Sequence, residues 1–519
     1  MSSMLPLPEV ERRTVPDLLD RARGFGLDRP FFLDLASGRS LTYGAFLEHV
    51  SGLAGELARR FRPGAVVAVL LPNQFEYVIL RFALSCAGLV EAAINGEHKG
   101  PVLKGMLEVA APAAIVCAER FRPNVEACGF ARDGIAWIDD GALAELCRLE
   151  ASWDARPRPP IEPGSACRII YTSGTTSVSK GAELSHGYEV YTGFAYCSRM
   201  GLRAGDRWYY PTPFFHIDGL ISIAALLHCG GSHALAPRFS ASRFWQEVIA
   251  SEATVMLYVG TILSIIQKLG DPPPGQRIRV GMGVGGTPAL RQWFEERHKI
   301  TLLEVYGLTE CCGAAIDDWS ARRPNSCGRP TLGYEIAILD GLDRPLPAGK
   351  RGQIAVRPRE PFSMLSAYRN NPAATVASFR NLWFHTGDVG SFDEDGYLYF
   401  HGRMKDVIRH RDENISAEEL EAVVDTHAAV LMSAAVAVPS DLGDEDILLY
   451  VLPKRGMAVE PAELCRYLAE RVAPFMVPRH VRVVESLPLT PTEKVAKTGL
   501  SRAIDASVWT RPSTRKASG

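Results

Sequence analysis

The segment Tyr171-Thr-Ser-Gly-Thr-Thr-Ser-Val-Ser-Lys-Gly181 is a hydroxyl- and glycine-rich loop that follows the apolar pair Ile169-Ile170. Glycine lets backbone N–H groups approach an anion closely, and hydroxyl groups and a lysine add donors and positive charge. The segment is not a Walker A motif, because position 179 is Ser where that motif has its second Gly, and position 181 is Gly where a Ser or Thr would bind Mg²⁺. The sequence therefore predicts a polyphosphate-binding loop of another kind, with a flexible polar surface loop as the alternative. The candidate phosphate-binding residues are Thr172, Ser173, Gly174, Thr175, Thr176 and Lys180.

Length and composition indicate an ordinary globular protein whose function lies in specific sites. A chain of 519 residues is long enough for several domains, because single hydrophobic cores stop growing at roughly 250–300 residues. The 57 Lys and Arg residues nearly balance the 59 Asp and Glu residues, which leaves a net charge of −2. This balance gives no indication of a nucleic-acid or membrane partner, and we expect small-molecule substrates instead.

The beginning of the chain and its cysteines predict a cytoplasmic protein. The first residues include Glu9 and lack the apolar core of a signal peptide, and the most apolar runs, 83–94 and 219–227, are shorter than the ~20 residues of a membrane span. The 11 cysteines include no C-x-x-C pair. They are therefore expected to be reduced and partly buried rather than paired in disulfides or bound to zinc.

Helices and short apolar strands alternate along the first part of the chain. Apolar residues recur at helical spacing over 46–57, and the uniformly apolar segment 65–71 is typical of a strand buried on both faces. This alternation predicts an α/β fold with mixed or parallel sheets in a large N-terminal domain of several subdomains. Further segments predicted in the same way are a helix after Asn73, a strand over 92–94, a helix over 101–109, a strand over 113–118 and a helix over 183–200.

A second glycine-rich segment lies between a predicted strand and a predicted helix. Gly281, Gly283 and Gly286 satisfy the pattern G-x-G-x-x-G, and Glu304 follows at about the distance of the ribose-binding acid of a dinucleotide fold. We reject that interpretation, because such a fingerprint usually opens its domain and this one follows a different phosphate loop. Gly285 and Gly286 are better interpreted as a turn against which a flat ring can lie.

Two carboxylates follow predicted strands. The segment 302–305 leads into Tyr306-Gly-Leu-Thr-Glu310, where Thr309 and Glu310 lie at the end of a strand, the usual place for ligands in an α/β protein. Glu310 is a candidate Mg²⁺ ligand, and the alternative is an acidic residue that interacts with a helix dipole. Asp388 follows a glycine in Trp383-Phe-His-Thr-Gly-Asp388 and is suited to accept hydrogen bonds from both hydroxyls of a ribose.

Taken together, several motifs resemble the signature series of the adenylate-forming superfamily, which includes acyl-CoA synthetases, nonribosomal peptide adenylation domains and firefly luciferases. Their order and spacing match across essentially the whole chain. Within the superfamily, Phe214-Phe-His-Ile-Asp218 is most similar to the crotonobetaine/carnitine-CoA ligase-like branch. The motifs are Tyr171–Gly181, Tyr306–Glu310, His385-Thr-Gly-Asp388, Gly402-Arg-Met-Lys-Asp406 and Pro491-Thr-Glu-Lys494.

The resemblance implies a two-step reaction. A carboxylate attacks the α-phosphorus of ATP to give an acyl adenylate and pyrophosphate, and a nucleophile, commonly the CoA thiol, then displaces AMP. Tyr306 would stack on adenine against Gly285–Gly286, and Asp388 and Arg403 would hold the ribose. The loop at 172–180 would hold the triphosphate. The residues that would take part in catalysis are Lys494 beside the α-phosphate, His216 at the gate to the substrate pocket, Thr309, and Glu310 as the Mg²⁺ ligand.

The resemblance also implies domain alternation. The predicted domains are an N-terminal domain over 1–402, a hinge over 403–405 that contains Lys405, and a small mobile α+β C-terminal domain over 406–519 that carries Lys494. Asp412 stands where relatives usually have Gly, in a loop that lines the CoA pantetheine tunnel, and it adds a Cβ and a negative charge. An amine in place of CoA, as in amide ligases or nitrite-activating diazotases, is therefore the alternative acceptor. The oligomeric state stays open, with a homodimer as one alternative.

Overall fold

The computed structural model describes residues 6–131, 133–172, 180–404, 407–410, 413–440, 445–472, 474–490 and 494–512. The chain divides into two compact units. The first comprises Met1–Ile336 and Val356–His385, and the second comprises Ala337–Ala355 and Thr386–Gly519. Lys405 lies outside the described residues, so the division at 402 and 406 with its hinge stays a prediction.

The first unit contains two sheets covered by helices, which confirms the predicted α/β class. Numbered in chain order, its first sheet has the strands β18 (Ala367–Tyr368), β8 (Lys180–Ser185), β7 (Ala166–Thr172), β4 (Val90–Ala93), β3 (Val66–Leu70), β5 (Ala114–Cys117) and β6 (Ala136–Ile138) in this spatial order. The strands β7, β4, β3, β5 and β6 are parallel neighbours. Burial of every residue of β3 agrees with the prediction of a strand covered on both faces.

The second sheet of this unit places the carboxyl ends of its central strands at one edge. In spatial order it has β15 (Arg329–Pro330), β14 (Ala315–Ile316), β13 (Thr301–Tyr306), β12 (Val280–Val284), β11 (Val255–Val259), β9 (Arg207–Tyr210), β10 (Ser232–Leu235), β1 (Pro30–Asp34) and β2 (Ser40–Thr42). The run from β13 to β1 is parallel throughout. Ligands of open α/β sheets bind outside such carboxyl ends.

Several helices of the first unit begin at a residue whose side chain caps the helix. Thr42 caps the second helix by accepting a hydrogen bond from the Ala45 N–H, 3.2 Å away. The helices are α1 (Val15–Ala22), α2 (Tyr43–Arg60), α3 (Phe75–Cys86), α4 (Gly100–Ala110), α5 (Arg122–Ala127), α6 (Asp140–Leu146), α7 (His186–Arg199), α8 (Ile217–Leu227), α9 (Phe244–Ala250), α10 (Gly260–Lys268), α11 (Pro288–His298) and α12 (Pro372–Ser378).

The helix predicted over 183–200 begins later than expected. Residues up to Ser185 belong to β8, which pairs antiparallel with β7. Ser185 then caps α7, because its Oγ accepts a hydrogen bond from the Tyr188 N–H at 3.1 Å. The sheet pairing therefore overrides local helix propensity up to the cap.

The C-terminal part of the chain forms a small α+β structure, as predicted. Its strands and helices enclose an apolar core that includes Leu420, Leu449 and Leu464. The elements are β22 (Val407–His410), β23 (Glu413–Ser416), α13 (Ala417–Val424), β24 (Val430–Pro439), β25 (Glu445–Pro453), α14 (Pro461–Ala469), β26 (His480–Val483) and β27 (Trp509–Thr510).

A further sheet has the order β16 (Tyr334–Leu339), β17 (Gly352–Pro358), β20 (Trp383–Phe392) and β19 (Phe379–Arg380), and β21 (Leu398–Arg403) pairs with β20. Among the described residues, no helix is long and apolar enough to cross a membrane.

Candidate active site

Three candidate segments of the first unit lie at the carboxyl edge of its second sheet. The segment that leads to His216 follows β9, the Gly285–Gly286 turn follows β12, and Tyr306 is the last residue of β13. Because these strands are parallel, the three segments emerge at the same edge. The structure thus gathers residues from three separate sequence motifs.

The Gly285–Gly286 turn is tightly constrained by its neighbours. Gly285 has a φ of +75°, which glycine adopts without strain. The N–H groups of Gly285 and Gly286 donate to the two carboxylate oxygens of Glu304, at 3.0 and 2.8 Å. A Cβ added to Gly286 would lie 2.4 Å from Oε1 of Glu304. The turn therefore presents bare backbone just after the end of β12, as a flat ligand ring would require.

Glu310 is a buried carboxylate at the end of β13. It belongs to a 3-10 turn, Thr309–Cys311, and is only 5% exposed. The Tyr188 hydroxyl holds this turn, since it donates to the Thr309 carbonyl at 2.8 Å and accepts from the Cys312 N–H at 3.0 Å. The Tyr368 hydroxyl donates to Glu310 Oε1 at 2.7 Å. Glu310 is therefore oriented by a specific donor, which a residue that only interacts with a helix dipole would not need.

Tyr368 connects Glu310 with the phosphate-loop lysine. The Lys180 ammonium lies 4.9 Å from the centroid of the Tyr368 ring, a cation–π distance. Lys180 also pairs across the strands with Thr172, the first candidate hydroxyl residue. Ser173, Gly174, Thr175 and Thr176 lie outside the described residues. Within the described chain, one tyrosine thus contacts both the candidate Mg²⁺ ligand and the candidate phosphate lysine.

His216 precedes α8 at its N-cap position. Its Nε2 atom is buried and has no hydrogen-bond partner among the described residues. Burial, together with the nearby His98, lowers the pKa of His216 to about 4, so the imidazole is neutral at pH 7. A neutral ring with a buried unpaired nitrogen is more consistent with a ligand-facing residue than with a hydrogen-bonded structural histidine.

Asn73 holds the backbone of the segment that leads to His216. Its Nδ2 donates to the carbonyls of Thr212 and Ala236, at 2.9 and 3.0 Å, and its Oδ1 accepts from the Phe214 N–H at 2.9 Å. Arg81 donates to the Phe214 carbonyl at 2.7 Å. Both backbone polar groups of Phe214 are therefore fixed by buried side chains, one from the middle of α3 and one from the turn before it.

Arg81 belongs to a buried ionic cluster. It donates to both carboxylate oxygens of Glu91, at 3.0 and 3.1 Å. Arg168 on β7 lies 3.1 Å from Glu91 and 3.2 Å from Glu189. Burial opposes ionisation of Glu91, but Arg81 and Arg168 lower its pKa on balance. The cluster joins the strand that enters the phosphate loop to the segment before His216, and its two positive and two negative charges balance.

The second unit holds the remaining described candidates. Asp388 and Arg403 face each other as a cross-strand pair on β20 and β21, with 3.3 Å between Asp388 Oδ1 and Arg403 Nε. Their predicted role in holding the ribose stays a prediction. Lys494 has an exposed side chain, and its backbone N–H donates to the Thr490 Oγ1 at 3.1 Å. Lys405 and Asp412 lie outside the described residues.

Sequence reasoning missed Tyr368 and Asn73 and assigned no role to Glu304. Tyr368 lies on a two-residue strand whose local sequence carries no recognisable pattern. Asn73 precedes a helix and gives only the signal of an ordinary helix start. The spacing of Glu304 from the glycines resembles that of a ribose-binding acid, and in the structure its carboxylate instead accepts hydrogen bonds from Gly285 and Gly286.

Comparison with known proteins assigns the chain to a family. The profile of the AMP-binding enzyme family matches residues 18–368, and that of the AMP-binding enzyme C-terminal domain matches residues 419–494. A probable CoA ligase from Humulus lupulus, CCL9, is 31% identical over 93% of this chain and 95% of its own length. The crotonobetaine/carnitine–CoA ligase of Shigella sonnei is 28% identical over 85% of this chain and 88% of its own.

A solved structure shows the same fold. ATP-bound MatB from Rhodopseudomonas palustris superimposes with a TM-score of 0.84 at 24% identity, and the match covers 93% of this chain and 98% of that protein. These matches define an adenylate-forming enzyme fold with a separate C-terminal domain. The chain belongs to the AMP-binding enzyme family, which confirms the resemblance found from its motifs.

Proposed function

We propose that this protein is an ATP-dependent, AMP-forming ligase that joins a small carboxylic acid to the thiol of CoA. The carboxylate attacks the α-phosphorus of ATP, pyrophosphate leaves, and the thiolate of CoA then displaces AMP from the acyl adenylate. The observation that carries this proposal is the linked arrangement of Lys180, Tyr368 and Glu310 at a sheet edge in a chain of this family. It supplies the positive charge and the oriented carboxylate that a phosphoryl-transfer site needs.

The proposed roles in the first unit follow from this arrangement. Lys180 and the hydroxyl groups of the 172–176 loop bind the β- and γ-phosphates, so that pyrophosphate is the leaving group. Tyr306 and the Gly285–Gly286 turn bind the adenine between them. Neutral His216 borders the acid-binding pocket, where an uncharged ring places no cation beside the carboxylate that attacks.

A magnesium ion fits the residues that are present. Among the described residues, no group of three or more His, Cys, Asp or Glu side chains could hold a metal by itself. Mg²⁺ in nucleotide sites usually takes one or two carboxylates together with phosphates and water. Glu310, held by Tyr368, would be that carboxylate, and the ion would neutralise charge on the phosphates.

The second unit supplies the remaining proposed functions. Lys494 provides the positive charge that stabilises the developing charge of the adenylation step. Asp388 and Arg403 bind the ribose hydroxyls. Lys405 serves as the hinge of a domain rotation between the two half-reactions.

CoA is favoured over an amine as the acceptor. The relatives that match over most of this chain are named as CoA ligases, including those from Humulus lupulus and Shigella sonnei. The argument for an amine rests on Asp412, which lies outside the described residues. The amide-ligase and diazotase alternative is therefore not favoured.

The test is pyrophosphate release from ATP with a panel of small acids, each assayed with and without CoA. Nitrite with an aryl amine forms the comparison arm. We expect turnover that depends on both an acid and CoA. Turnover with nitrite or an amine, and none with CoA, would overturn the proposal.

A further inference from the structure

Glu304 connects the two walls of the proposed adenine site. Its carboxylate accepts the N–H groups of Gly285 and Gly286, which form one wall. Its backbone belongs to β13, two residues before Tyr306, which forms the other wall. The side chain thus joins two strands, β12 and β13, at the point where both end.

The carboxylate is itself fixed from several sides. The Tyr258 hydroxyl on β11 lies 2.7 Å from Oε1 and 2.9 Å from the Leu303 carbonyl. The Glu304 N–H donates to Asp317 at 3.2 Å, and Asp317 in turn pairs with Arg291 of α11 at 2.6 Å. Glu304 is only 7% exposed. A carboxylate with this many fixed neighbours holds a single position.

We infer that Glu304 is a positioning residue for ATP that sets the spacing between the Gly285–Gly286 turn and Tyr306. This inference rests on the proposed function, because that function assigns adenine to this slot. Glu304 does not need to touch the nucleotide. It acts through the two glycine N–H groups, whose direction fixes the backbone surface on which the ring lies.

The ionised carboxylate is the form that fits this role. Both of its oxygens accept from N–H donors, and protonation would remove the negative charge that strengthens these two hydrogen bonds. Burial raises the pKa of Glu304 to about 7, although Tyr258, Arg291 and the Gly286 N–H oppose this rise, and Asp317 adds to it. ATP binding should therefore weaken as the pH falls below about 7, because protonation removes the charge that strengthens the hydrogen bonds to Gly285 and Gly286.

The test compares Glu304→Gln with Gly286→Ala. Glutamine keeps the size of Glu304 but places an NH₂ group opposite one glycine N–H, and the alanine Cβ would displace the same carboxylate. We expect each variant to raise the KM for ATP roughly tenfold, with the KM for the acid nearly unchanged, because one charge-assisted hydrogen bond is lost. The pH dependence of the KM for ATP should flatten in Glu304→Gln.

Asp206→Asn is the matched control. Asp206 is also a buried carboxylate, with 1% exposure, but it binds Arg279 and Thr254 at the opposite, amino ends of β11 and β12. Its substitution should lower stability without changing the KM for ATP. An unchanged KM for ATP in Glu304→Gln, or an equal rise in Asp206→Asn, would overturn the inference.

Direct ATP binding by titration calorimetry separates this inference from the proposed function. If the wild-type protein releases no pyrophosphate with any acid, the proposed function fails, but weaker ATP binding by Glu304→Gln would still support the role of Glu304. Equal ATP affinity of the two proteins would overturn that role in either case.

Discussion

Replacement of Asn73 by aspartate tests how the segment before His216 is held. The change keeps the shape of the side chain and its acceptor for the Phe214 N–H, but it removes both Nδ2–H donors. The carbonyls of Thr212 and Ala236, now 2.9 and 3.0 Å from a donor, would then face an oxygen. Because Asn73 is 8% exposed, water cannot readily replace the lost donors.

The expected loss follows from these two hydrogen bonds. Each buried polar group left without its partner costs about 1–3 kcal/mol, so the free energy of unfolding should fall by about 2–6 kcal/mol. A domain with a total stability of roughly 5–15 kcal/mol can stay folded after such a loss. The released segment should also misplace His216, which predicts a higher KM for the acid and a nearly unchanged KM for ATP.

Urea unfolding and steady-state kinetics measure the two effects separately. Ser51→Ala is the control, because the Ser51 hydroxyl makes one hydrogen bond, at 2.9 Å to the Ser152 carbonyl, on α2 rather than at the carboxyl edge of the second sheet. It should lower stability by about 1 kcal/mol and leave both KM values unchanged. The reasoning is refuted if Asn73→Asp unfolds like the wild type, or if it loses stability and keeps the wild-type KM for the acid.

Three further changes have defined expected outcomes. Lys494→Ala should lower pyrophosphate release by at least ~10²–10³-fold, as expected for a lost charge-stabilising donor, and near-normal release would refute its assignment. Asp412→Gly should increase thioester formation, because it removes a Cβ and a negative charge from the loop predicted to line the pantetheine tunnel; an unchanged rate would contradict that prediction. Burial lowers the pKa of His186 and His233 to about 3 and that of His228 to about 4. In the unfolded chain the pKa of each is about 6.5, so the folded protein keeps its full stability above that pH and loses stability as the pH falls from about 6.5 toward the folded pKa values. Each of the three histidines should therefore lower the free energy of unfolding by about 1.4 kcal/mol for every unit that the pH falls between about pH 6 and 4. In urea titrations over this range, His228→Gln should reduce the slope of the unfolding free energy against pH by about 1.4 kcal/mol per pH unit. An unchanged slope would contradict this linkage.

The sequence predicted features that depend on local patterns or on family motifs. The strand at Val66–Leu70 and the helix ending at Arg60 followed from apolar spacing. The glycine pair at 285–286 was recognised as a turn that exposes backbone, and its hydrogen bonds to Glu304 agree with that interpretation. Such features are visible in sequence because their cause lies within a few residues.

Features that depend on distant contacts could not be predicted. Tyr368 meets Glu310 only because β18 pairs with β8, and nothing near Tyr368 in the sequence indicates that pairing. Likewise, Asn73 binds Phe214 across 141 positions of sequence. The late start of α7 has the same origin, because residues that favour a helix locally are held in β8 by β7.

The products of one turnover test the proposed reaction most directly. The wild-type protein would be incubated with ATP, Mg²⁺, CoA and the best acid from the panel, and the nucleotides and thioesters would be quantified by chromatography with mass detection. We predict AMP, pyrophosphate and the acyl-CoA thioester in equal amounts. Formation of ADP and inorganic phosphate, or of AMP without any thioester, would contradict an AMP-forming acid–thiol ligase.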